Sequence, residues 1–143
     1  MGPPTDEGSV RAAVQATVCP DPGVNFVVMF GSQVRGAPQP DSDIDLAVKF
    51  ADTLTARDRF RKRCFFAGEL QRPTGPYVDV SDIEALPLDV AHDAVCGEFL
   101  CGDVAAFRAI KTEIEARYET ERDTLRQHQR AIIDRIAEDG LRG

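Results

Sequence analysis

The chain's 143 residues can build one hydrophobic core but not two. A net charge of −7 and a pI near 4.8 exclude a surface made to hold duplex DNA, which requires a basic face. No apolar run is long enough to span a bilayer, and the amino terminus lacks the basic and apolar regions of a signal peptide, so a cytoplasmic protein without membrane association is expected.

Residues 1–8, rich in Pro, Gly and acid, read as a flexible tail. Ser9 can cap a helix from Val10 to Cys19 with an apolar stripe of Val10, Ala13, Val14, Thr17 and Val18, ended by the turn Pro20-Asp21-Pro22-Gly23. Phe26 to Phe30 shows no polar alternation, which predicts a strand covered on both faces. It stops abruptly at Gly31-Ser32, and a loop carrying Pro38 and Pro40 brings the chain back to lay its next strand beside the first. In that strand Ile44, Leu46, Val48 and Phe50 alternate with Asp43, Asp45, Ala47 and Lys49, so Asp43 and Asp45 share a face.

Carboxylates two strand positions apart lie roughly 6 to 7 Å from each other at the backbone. That separation suits a pair of divalent cations about 3.5 to 4 Å apart. Like charges side by side call for a counter-charge, and hard oxygen donors favour Mg²⁺ or Mn²⁺ over zinc. The Gly-Ser turn offers the complementary half of a site. Gly31 admits close approach to the backbone, Ser32 and neighbouring amides can bond phosphate oxygens, and Arg35 supplies a guanidinium fork for the same group.

Thr53 or Thr55 can cap a helix to about Leu70, with Phe60, Cys64, Ala67 and Leu70 on its inner side and Arg57, Arg59, Arg61, Lys62 and Arg63 mostly outside as a solvated face. A loop at 72–76 leads to a third strand over 77–83. Here Val78 and Val80 define the core face, so Asp79 points to the opposite one, and Asp82 falls with the valines or past the strand end. Asp79 is therefore the acid expected opposite Asp43 and Asp45. Pro87 to Cys96 reads as a helix and 97–102 as a short closing strand. From 103 to about 138 Phe107, Ile110, Ile114, Tyr118, Leu125, Ile132 and Ile136 recur at helical spacing. A helix that long, some 50 Å, outruns the domain that could cover it, so part of its stripe is expected to meet something else. The four cysteines, at 19, 64, 96 and 101, match no zinc knuckle and no disulfide scaffold and read as ordinary buried thiols. His92 reads as a helix-face residue and His128 as a solvated one. Neither a P-loop, a dinucleotide fingerprint nor a serine-hydrolase elbow is present.

Gly31-Ser32, ten intervening residues and Asp43-Ile44-Asp45 resemble the signature of the nucleotidyltransferases of the DNA polymerase beta superfamily, in particular the minimal nucleotidyltransferases; the resemblance runs from about Val24 to Leu100. It implies an α+β, sandwich-like fold in which a small mixed β-sheet is flanked by helices. A nucleotidyltransferase domain over 9–102 would carry a helical segment over 103–143 as part of the same domain. It implies a short helix beginning at Ser32, and Asp43, Asp45 and Asp79 as catalytic metal ligands. Gly31, Ser32 and Arg35 would then bind the β and γ phosphates of ATP, with Mg²⁺ or Mn²⁺ as cofactor. The minimal members imply an antitoxin that forms a hetero-oligomer with a HEPN-domain toxin and transfers AMP to a tyrosine hydroxyl of it. A small-molecule, aminoglycoside-type transferase and a non-enzymatic antitoxin acting by binding alone are the alternative readings.

Overall fold

A computed structural model of the chain describes residues 6–31 and 43–142. In order, the elements are α1 (Asp6–Thr17), β1 (Val24–Phe30), β2 (Ile44–Phe50), α2 (Ala56–Leu70), β3 (Val78–Asp82), a 3-10 turn (Ile83–Ala85), α3 (Leu88–Val95), β4 (Glu98–Gly102) and α4 (Val104–Arg142). The strands form one sheet in the order β3-β2-β1-β4, parallel between β2 and β3 and antiparallel elsewhere. This is the mixed α+β arrangement expected, with the Asp43 strand beside the Phe26 strand. The α2 crossover makes the single parallel pairing feasible, since a hairpin cannot connect parallel strands.

Strand alternation splits the core into two layers. Val27, Met29, Leu46, Val48, Val78 and Val80 face Val10 and Val14 of α1 and Phe66 and Leu70 of α2. On the other side Phe26, Val28, Phe30 and Ala47 meet Ala91, Ala94 and Val95 of α3 and Ile114 of α4. Helices therefore cover both faces of β1, as its unbroken apolar run predicts.

Three expectations need correction. Helix α1 opens at Asp6, so Ser9 lies inside it rather than capping it. Helix α2 is capped by Thr55, whose Oγ1 accepts the Asp58 amide at 3.1 Å, but is rotated from the expected orientation. Phe60 and Cys64 are exposed, whereas Phe66 and Leu70 are buried and Arg59, Lys62 and Arg63 are half-buried. Their stems lie against the domain and their charged ends find Asp82 at 3.4 Å, Asp21 at 2.9 Å and the Val80 carbonyl at 3.1 Å. Only Arg57 and Arg61 of the basic cluster are exposed.

The cysteines are the third correction. Cys19 and Cys101 form a disulfide across 82 positions of sequence, and Cys64 and Cys96 are exposed rather than buried. The pairing follows from the fold: Cys101 is opposite Val27 in the β1–β4 register, on the face where the turn after α1 packs. Lys49 stays on the side of the acids to which alternation assigns it, and is buried there at 7% exposure. Its ammonium meets the Phe50 carbonyl at 2.6 Å, Asp52 at 2.9 Å and Glu84 at 3.0 Å. Burial, the largest single effect, opposes its charge, but the bonds and charges of Asp52 and Glu84 together prevail and raise its pKa above the usual lysine value.

Helix α4 runs unbroken for 39 residues, about 58 Å. Asp103 caps it, its Oδ1 accepting the Ala105 and Ala106 amides at 2.9 and 3.1 Å. Its first half packs Phe107, Ile110 and Ile114 on the second core layer. From Glu119 to Glu138 every residue is exposed, including Leu125, Ile132, Ile133 and Ile136 at 58–65%.

Candidate active site

The acids gather at the end of the sheet where β1 finishes and β2 and β3 begin. Asp45 and Asp79 are register partners on the parallel pair β2–β3. Such strands lie about 4.8 Å apart, so the two side chains project together from one face. Burial along both strands has the period this requires. Ile44 and Leu46 are buried and flank half-buried Asp45; Val78 and Val80 are buried and flank half-buried Asp79. Asp43, just before β2, is exposed on the same side.

The proximity has an electrostatic consequence. The Asp45 carboxyl is raised above the usual aspartate value, first by burial and then by the negative charges of Asp79 and Asp43. Asp79 is steadied by the Ser81 hydroxyl, which donates to its Oδ2 at 3.3 Å. Gly31 closes the opposite wall. Its backbone is in the left-handed region at φ +93°, and an added Cβ would collide with Asp45 Oδ2 and approach Asp45 Cγ to 3.3 Å. Only a residue without a side chain fits against that carboxylate.

The start of β3 is fixed from outside the sheet. Gln71 accepts the Val78 amide at 2.9 Å and donates to the Pro76 carbonyl at 3.0 Å, while the Ile44 amide bonds the Tyr77 carbonyl at 2.8 Å. Sequence reasoning missed both Gln71 and Ser81. The period-2 parity that selected Asp79 could have flagged Ser81; a glutamine at a helix end carries no such signal. Asp82 is on the valine side of β3, where it bonds Arg59 and caps the 3-10 turn through the Glu84 amide at 3.0 Å.

Ser32 and Arg35, the expected phosphate ligands, lie outside the described residues, as does the expected short helix. The other site residues are brought together: Gly31, Asp43, Asp45 and Asp79 share one corner. Among the described residues no three His, Cys, Asp or Glu side chains form a ready-made metal-binding group. The acids form an open row. Two concavities, of about 210 and 550 Å³, lie along α3 and α4, and neither is lined by Gly31, Asp43, Asp45 or Asp79. His92 is there, stacked on Tyr118 with ring centroids 3.8 Å apart, and His128 lines the larger groove.

The family model for "Polymerase beta, Nucleotidyltransferase" matches residues 14–103, which spans the whole sheet together with Asp43, Asp45 and Asp79. The chain belongs to this family. It is thus a nucleotidyltransferase. No curated protein sequence matches the chain. Solved structures share its fold. A toxin-antitoxin with AMP-PNP is 24% identical at a TM-score of 0.60, over 91% of this chain and 97% of that one. A mutant of the MntA-HpeT toxin-antitoxin is 24% identical at 0.62, over 91% and 96%. A tri-AMPylated Shewanella oneidensis HEPN toxin in complex with MNT antitoxin matches at 21% identity and 0.58, over 92% and 98%. Among the described residues no helix is long and apolar enough to cross a membrane.

Proposed function

We propose that this nucleotidyltransferase transfers AMP from ATP to a hydroxyl, a tyrosine's, on a partner HEPN toxin and so acts as its antitoxin, with Asp43, Asp45 and Asp79 as the catalytic carboxylates. The observation that carries the reading is the side-by-side placement of Asp45 and Asp79, with Gly31 pressed against the first of them. Three like charges line one corner in an open row, one of them with its proton affinity raised, and such a row calls for a cation. Their donor set is all carboxylate oxygen, the chemistry that suits Mg²⁺ or Mn²⁺, and Asp43, Asp45 and Asp79 would hold it. When bound, such an ion would neutralise phosphate charge and acidify the acceptor hydroxyl.

The chain's own residues do the rest. The Gly31 turn, with Ser32 and Arg35, grips the β and γ phosphates and stabilises charge on the departing pyrophosphate. Asp79, at the outer strand, receives the proton of the attacking hydroxyl. The protein acceptor is favoured by the exposed half of α4, twenty residues with four uncovered aliphatic side chains and no packing of their own. The relatives' complexes point the same way: one pairs an MNT antitoxin with a tri-AMPylated HEPN toxin.

The test is to incubate the chain with Mg²⁺, labelled ATP and the protein encoded beside it, then to repeat with Asp43→Ala and Asp45→Ala. Label on the neighbour that is lost in both variants supports the proposal. Neutralisation that survives both without any label would replace it with an antitoxin acting by binding. Label found only on an added aminoglycoside would replace it with a small-molecule transferase.

A further inference from the structure

The corner that bears the acids also carries a side chain that the reaction as described leaves unused. Tyr77 is 62% exposed, although most large apolar and aromatic residues around the sheet are covered. Burial alternates from Pro76 to Val80: positions 76, 78 and 80 are buried while Tyr77 is exposed and Asp79 half-buried. Tyr77 therefore shares the side of Asp79. Its carbonyl accepts the Ile44 amide, which sets its backbone beside Asp43 and holds it in the ladder. Asp43, Asp45, Tyr77 and Asp79 are thus one patch of three acids and one aromatic ring.

Position across the sheet decides what the ring meets. Gly31 directly follows β1, while Asp79 lies in β3 and Tyr77 just before it, two strand spacings away, or about 10 Å. Displacement at phosphorus is in line, so the attacking oxygen enters opposite the leaving group. With the leaving pyrophosphate held at the β1 side, the acceptor enters from the β3 side, past Tyr77. We propose that the Tyr77 ring is an acceptor-contacting wall that stacks on the planar ring bearing the acceptor hydroxyl, and so selects phenolic over aliphatic alcohols. This rests on the function proposed above, and specifies which feature of the acceptor is recognised.

Tyr77→Phe and Tyr77→Ala test it, because an exposed side chain whose structural bond is made by its backbone can be replaced without unfolding the domain. Transfer of labelled AMP to the neighbouring protein is measured against acceptor concentration, and ATP affinity is measured separately by calorimetry. A stacking contact predicts that Tyr77→Ala lowers kcat/KM for the acceptor by about three- to tenfold. Tyr77→Phe should stay within twofold of the unsubstituted chain, and ATP affinity should be unchanged in both. An unchanged kcat/KM in Tyr77→Ala would overturn the inference, as would weakened ATP binding, which would assign the ring to the nucleobase. If the unsubstituted chain labels no protein acceptor, the function itself fails and this inference with it; if it does, the Ala and Phe variants judge the inference alone.

Discussion

Replacing Asp45 by Asn should stabilise the metal-free protein while abolishing its activity. The carboxylate of Asp45 is about 5 Å from that of its register partner if both follow the strand spacing. Two unit charges at that distance repel by about 0.8 kcal/mol in water and about 3.3 kcal/mol at an effective dielectric of 20. Asp45 is only half-buried, so solvent screening favours the lower end, about 1 kcal/mol. For a domain of this size that raises the melting temperature by about 3 °C. The pH dependence has a definite sign. Because the folded pKa of Asp45 lies above its unfolded value of 3.8, the native state holds this proton more tightly than the unfolded chain. The repulsion is fully present at neutral pH and fades as pH falls through the raised pKa. The advantage of Asp45→Asn over the unsubstituted chain should therefore be present at pH 7, shrink as pH falls through the raised pKa, and vanish only below the unfolded value of 3.8. Thermal melts in EDTA at a series of pH values measure this. Saturating Mg²⁺ and a non-hydrolysable ATP analogue should invert the order at pH 7, adding about 2.7 kcal/mol to the unsubstituted chain at a hundredfold excess over Kd and little to the variant. A variant that melts lower than the unsubstituted chain in EDTA, yet gains as much from the nucleotide, would refute the charge argument.

Gly31→Ala should cut transfer at least a hundredfold and destabilise the fold by about 1 to 3 kcal/mol, because the new methyl displaces Asp45 from a backbone position strained for any L residue; single-turnover transfer and thermal melts measure the two effects. Ile132→Glu with Ile136→Glu should leave the melting temperature of the isolated chain within about 1 °C, since both side chains are already exposed, while weakening its complex with the acceptor protein at least tenfold by calorimetry. Cys19→Ser should cost about 2 to 4 kcal/mol in denaturant unfolding under oxidising conditions, since the bridge closes a loop of more than eighty residues, and nothing beyond a few tenths once both proteins are reduced.

What the sequence revealed and what it concealed divide along physical lines. Strand parity is local: alternation over five residues separated Asp79 from Asp82, and the β2–β3 register sets Asp79 beside Asp45 while Asp82 turns to Arg59. The two-sided burial of β1 was likewise readable from its lack of polar residues. Helix faces were harder. In α2 the arginine and lysine stems pack inward and leave Phe60 outside, which contradicts a simple apolar stripe. The Cys19–Cys101 bridge depends on β4 joining β1, a contact 82 residues apart that spacing rules cannot see. Lys49 looked like a polar strand position and proved to be a buried ion-paired one, because Asp52 and the half-exposed Glu84 come from different elements to meet it. The length of α4 was legible, as was the surplus of its apolar stripe over what a small domain can cover.

Position-specific labelling of the nucleotide tests the central claim most directly. With Mg²⁺, the acceptor protein and ATP labelled at either the α or the γ phosphate, the account predicts label on the acceptor from the α position only, with the γ label released as pyrophosphate. Transfer of the γ label, or α transfer that persists when Asp45 and Asp79 are both replaced by Asn, would contradict it.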